Sequence, residues 1–145
     1  MTTKQQIDQF IESHKQELVG MVDHCYAIGP MAEVGRGIDQ ELNLHPAEWA
    51  EVMTNWNPVA GRWDVQPFGT LFDAYWRLYR TQFRDYVHVH PAHLPGPSPR
   101  DKQFSLELYG DFFLTLWGTG IGRYICTSII DKESGAWTDE TRVLE

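Results

Sequence analysis

Cysteine is scarce in this 145-residue chain: Cys25 and Cys126 are the only two, and they stand far apart. Two such thiols give no disulfide framework, so the fold has to be held by burial alone. Both read as small buried apolar residues, one inside a helix and one inside a strand. Basic residues are also few. Twelve Lys and Arg face twenty Asp and Glu, a formal charge of −8. A nucleic-acid or anionic-membrane binder needs a basic face, so both are excluded as partners, and a basic protein or a neutral small molecule is favoured. A homodimer stays open.

Long apolar runs are missing too. Residues 112–130 come nearest, but Gly118, Gly120, Gly122 and Arg123 interrupt them. An arginine at the centre of a spanning helix costs about 2.5–3.5 kcal/mol even on a lenient scale, so two strands are expected here. The first six residues are polar and predict no cleaved leader and a cytoplasmic location. There is no internal repeat and no dividing linker. Neither a Gly-x-Ser-x-Gly elbow nor a phosphate loop occurs, since the glycines at 118, 120 and 122 do not open a helix. No motif marks an enzyme class.

What is present is an apolar and unusually aromatic composition, 42% hydrophobic and 13% aromatic with six tryptophans. A single domain of this size buries roughly 68–70% of its unfolded surface, enough for a core without staples. Over residues 4–27, Ile7, Phe10, Ile11, His14, Leu18, Met21, Val22 and Cys25 fall in one stripe at about 100° per residue, which predicts a helix ended by Gly29 and Pro30. Met31, Val34, Ile38 and Leu42 suggest a second helix, weakened by Gly35 and Gly37. Pro46 would open a third, with Trp49, Val52, Met53 and Trp56 as its stripe. Residues 57–69 read as a connector and 70–85 as a fourth, largely buried helix.

Beyond it the period changes to two. Val87 and Val89 alternate with His88 and His90, and Phe104, Leu106 and Leu108 alternate with polar residues. Residues 112–117 and 123–131 form two more strands, and a turn at 132–135 leads into 136–144. The expected architecture is α+β: one domain over 1–145, with three to four N-terminal helices (within 1–86) on one face of a C-terminal antiparallel sheet of three to five strands (within 87–145).

The most chemical segment is His88-Val89-His90-Pro91-Ala92-His93. On a strand, His88 and His90 point to one face about 6–7 Å apart, and His93 returns after the proline. Such imidazoles suit a divalent metal as cofactor, although no Cys or carboxylate stands at a recognised ligand spacing from them. The plain alternative is a solvated, histidine-rich strand end. His88 and His90 are also the candidates for acid–base chemistry near neutrality.

Tyr75, Trp76, Tyr79 and Trp117, with Arg80, could wall a pocket for an aromatic or apolar ligand; large residues in an ordinary core explain most of them equally well. Arg77, Arg80 and Arg84 share a helix face that either grips an anion or simply faces water. His14 and His24 on the first helix read as core-edge residues. The stretch 31–56 has a helix-turn-helix outline, but its second helix would carry Glu48 and Glu51 and no basic residue, which argues against DNA.

Three functions follow as expectations: a ligand-binding domain with a histidine near the pocket mouth, an acidic interaction module for a basic protein, and a His-ligated metal-dependent enzyme needing a further carboxylate.

Overall fold

A computed structural model describes residues 2–29, 32–45, 52–60, 62–66, 83–91, 94–107 and 110–145. In chain order its elements are α1 (Thr3–Ser13), α2 (Lys15–Ile28), β1 (Ala32–Ile38), β2 (Val52–Asn57), β3 (Arg62–Gln66), β4 (Asp85–Val89), α3 (Pro99–Glu107), β5 (Phe112–Thr119), β6 (Gly122–Ile130) and β7 (Trp137–Val143).

The stripe over residues 4–27 folds as two consecutive helices. His14, at φ −113° and ψ 15°, ends α1 and begins α2, and its ring Nδ1 lies 2.9 Å from the Phe10 carbonyl. Thr2 and Gln5 form a capping box at the start of α1, satisfying backbone N–H groups that the first turn leaves free. The helices bury the expected positions, Ile7, Phe10 and Ile11 on α1 and Leu18, Met21, Val22 and Cys25 on α2.

The predicted second helix is instead β1. Its apolar residues satisfy a period of two as well as of three and four, because Ala32, Val34 and Ile38 share one strand face. Pairing with β4 from Val34↔Val89 to Ile38↔Asp85 makes it a strand, and Gly37 within it leaves room for Phe83, whose ring a Cβ there would meet at 2.5 Å. In the predicted third helix, residues 46–51 lie outside the described residues, whereas 52–57 form β2 in register with β3 (Trp56↔Trp63). The connector over 57–69 therefore contains a strand, and among the described residues the stretch 31–56 supplies strands where a helix-turn-helix outline was expected. Most of the fourth helix, 70–82, lies outside the described residues; at its end Asp85 already begins β4.

Strands β1, β4, β5, β6 and β7 form a five-stranded sheet in that order, and the β2–β3 hairpin joins it through Ala32 and Glu33, giving the order β3-β2-β1-β4-β5-β6-β7. The sheet is mixed, not antiparallel, because β4 and β5 run parallel (Val87↔Leu114, His88↔Thr115, Val89↔Leu116). Parallel neighbours need a crossover. Here it includes α3, built from the residues expected as a strand around Phe104 and Leu106. Its start is well specified: Ser98 Oγ accepts from Asp101 N (3.1 Å), Ser98 N donates to Asp101 Oδ2 (2.9 Å), and Pro99 takes the first helical position.

α1 and α2 cover one sheet face. Their buried residues pack on Val34, Val87, Val89, Leu114, Leu116 and Ile125, and each such fully buried side chain is worth roughly 1.5–3 kcal/mol. Alternation sends Glu33, Tyr86, His88, Phe113, Thr115 and Trp117 to the other face, which α3 approaches. Residues 112–130 form the β5–β6 hairpin as expected, and no described helix is long and apolar enough to cross a membrane. Cys25 and Cys126 are both buried, and the Cys25 thiol donates to the Ala32 carbonyl (3.1 Å).

Candidate metal centre

At the carboxyl end of β4 the chain presents His88 and His90 to the same face and then turns through Pro91. The turn folds back onto His90: its Nδ1 lies 3.0 Å from Leu94 O and 2.8 Å from Gly96 O. Gly96 stands at φ +78°, a left-handed conformation that suits glycine. Carbonyl oxygens only accept, so Nδ1 carries a hydrogen, and once the ring gives up its second proton it is Nε2 that offers a lone pair. That arrangement, a backbone carbonyl fixing the far nitrogen, is the usual support of a metal-bound imidazole.

The donor atoms converge from three elements. His88 Nε2 and His90 Nε2 are 2.7 Å apart. Asp101 Oδ2, in the first turn of α3, lies 3.4 Å from the first and 3.2 Å from the second. The β1–β4 register pairs Val34 with Val89, which sets Glu33 across from His90; its Oε1 lies 3.6 Å from His90 Nε2. Donor atoms of Glu33, His88 and His90 all fall within 4.8 Å of one another, and all three residues are buried. Ligands about 2.0–2.1 Å from a tetrahedral zinc ion stand about 3.3 Å apart. The two Asp101 distances already match that, and the two imidazole nitrogens, 2.7 Å apart, would have to separate by about 0.6 Å.

The carboxylates and imidazoles of the cluster shift one another's pKa values. Burial alone would raise the Asp101 pKa, but the charge and hydrogen bonding of His88 and His90 hold it well below the usual carboxylate range. Burial raises the Glu33 pKa against the opposing charges of His90 and His88. Burial lowers that of His90, yet the hydrogen bond and charge of Asp101 and the charge of Glu33 lift it to about 9.

The scaffold holds this cluster from behind and from below. Tyr26, on α2, donates its hydroxyl toward His90 O (3.1 Å) and Gly118 O (3.2 Å) and accepts from Gly118 N (2.7 Å), tying the ends of β4 and β5 together. At the opposite end of the β4–α3–β5 unit, Ser105 Oγ donates to the fully buried Asp85 (2.6 Å), one helical turn beyond Asp101, and Arg84 grips Asp111 in two bonds (3.2 and 2.7 Å). The cluster thus occupies the carboxyl end of a parallel strand and the amino end of its crossover helix, the usual ligand position in parallel sheets.

Of the residues expected from sequence, His88 and His90 are brought together, while His93 lies outside the described residues, as do Tyr75, Trp76, Tyr79, Arg77 and Arg80. Trp117 is 7% exposed and stacks on Tyr124 with ring centroids 5.9 Å apart. Arg84 is committed to Asp111. Glu33 and Asp101 are the carboxylates that sequence reasoning missed. Asp101 had a legible sign, the Ser98-Pro99-x-Asp101 helix start. Glu33 had none, because its strand was read as a helix. No protein-family model and no curated protein sequence matches this chain.

Proposed function

We propose that this protein is a zinc-dependent hydrolase, with His88, His90 and Asp101 as ligands and Glu33 as general base. The observation that carries the reading is the buried convergence of two imidazole Nε2 atoms and Asp101 Oδ2 within 3.4 Å of one another, with His90 Nδ1 already tied to backbone carbonyls. Two nitrogens and a carboxylate oxygen suit zinc and leave a coordination position open for water or substrate. The same donors also suit iron in oxygen chemistry. The second carboxylate favours hydrolysis, because Glu33 stands beside the donors where a base can take the proton of an attacking water.

The ion would supply Lewis acidity and a water acidic enough to react near neutral pH. Around it, Asp101 offsets the cation's charge, His90 is held in orientation by the Leu94 and Gly96 carbonyls, and Glu33, buried and with a raised pKa, receives and returns a proton. A carbonyl substrate, amide or ester, fits better than a phosphate: one ion flanked by two carboxylates in a protein of charge −8 repels polyanions. A chain with two cysteines, both buried and far apart in sequence, suits the reducing cytoplasm, which we propose as its location.

Chelator-stripped protein should hydrolyse fluorogenic amides or esters only after zinc is returned. Glu33→Gln should retain zinc yet lose about 10²–10⁴-fold in turnover. Full activity in Glu33→Gln, or activity indifferent to the chelator, would overturn the assignment.

A further inference from the structure

We propose that Thr115 is the positioning residue for His88, its hydroxyl taking the Nδ1–H of that ring when Nε2 is committed to the cation. The inference rests on the metal-centre reading above and deepens it. His88 and His90 are not supported alike. His90 Nδ1 has two carbonyl partners, whereas His88 Nδ1 is buried with no hydrogen-bond partner among the described residues.

Thr115 Oγ1 is in the same condition, fully buried and without a partner among the described residues. The two orphans are neighbours. The parallel β4–β5 ladder pairs His88 with Thr115, and alternation sends both side chains to the metal-centre face. Adjacent strands lie about 4.7–4.9 Å apart, so the ring nitrogen and the hydroxyl are within reach of a direct bond or of one bridging water.

Besides His90 and Asp101 on its Nε2 side, His88 has two tilted aromatic rings for neighbours, Tyr86 with its centroid 5.0 Å away and Phe113 with its centroid 6.5 Å away. Valine would fill the Thr115 position without burying a hydroxyl, so the hydroxyl at this spot calls for a reason. Coordination provides it. Once Nε2 binds a cation, the remaining ring hydrogen must sit on Nδ1, and it needs an acceptor, which Thr115 offers as the cross-strand neighbour of His88.

The test compares Thr115→Val and Thr115→Ser with the unaltered protein, reading zinc affinity by competition with a chromophoric chelator, the visible spectrum of the cobalt-substituted centre, and the melting temperature in chelator. Thr115→Val should bind zinc about 10–100-fold more weakly and change the cobalt bands, while the ion-free melting temperature holds or rises. Thr115→Ser should stay within a few-fold of the original affinity. Unchanged affinity in Thr115→Val overturns the inference, and so does equal weakening in both variants with a lowered ion-free melting temperature, the mark of a merely structural role. If the unaltered protein takes up no zinc, the metal-centre reading itself falls.

Discussion

Raising the pH should destabilise the ion-free protein through His90. In the folded chain this imidazole is held to about 9, because Asp101 and Glu33 outweigh its burial; unfolded, it returns to about 6.5. A group whose folded pKa is raised stabilises the fold fully below its unfolded pKa, and that contribution is lost as pH climbs through the folded value. A gap of about 2.5 units corresponds to about 3 kcal/mol, an order-of-magnitude figure for a single buried pair, lost between about pH 6.5 and 9.

Against a typical total of about 5–15 kcal/mol the effect is large. Urea melts in the presence of chelator, run at about pH 6, 7.5 and 9, should show it, and His90→Gln should flatten the slope. Asp85, whose pKa burial also raises, is common to both proteins and drops out of the difference. Added zinc should reverse the sign, since cation uptake expels the His90 proton and tightens as pH rises. If the unaltered protein and His90→Gln lost stability in parallel across this window, the buried ion network would not exist as described.

Tyr26→Phe removes the hydroxyl that serves Gly118 N and His90 O; it should cost about 1–3 kcal/mol in denaturant melts and weaken zinc binding measurably by chelator competition. Two glycines should respond oppositely to alanine. At Gly37 a Cβ meets the Phe83 ring at 2.5 Å, so Gly37→Ala should lower stability by about 1–3 kcal/mol. At exposed Gly20, inside α2, a Cβ has nothing within 4 Å, so Gly20→Ala should raise it by about 0.5–1 kcal/mol in the same assay.

Local regularity made much of the fold readable. The stripe from Ile7 to Cys25 has one period and one buried face, and the β5–β6–β7 meander carries strands broken by glycine-rich turns, so short-range rules were enough for both. Reading failed where two periods fitted the same residues. Val34 and Ile38 are four apart, a helical step and an even one, and the pairing with β4, about fifty residues away, is what makes the segment a strand. The parallel β4–β5 pairing is likewise a long-range choice, made by docking α3 on the far face.

The site was half legible for the same reason. His88 and His90 announce themselves by spacing within one strand. Glu33 and Asp101 reach them through register and crossover, which no window of sequence contains.

Anomalous diffraction at the zinc edge, on crystals of stripped protein reloaded with one equivalent of zinc, tests the central claim most directly. The account predicts one peak about 2.0–2.1 Å from Nε2 of His88, Nε2 of His90 and an oxygen of Asp101, with Glu33 outside bonding distance. A peak held by other residues, or no peak with the two imidazoles still 2.7 Å apart, would contradict it.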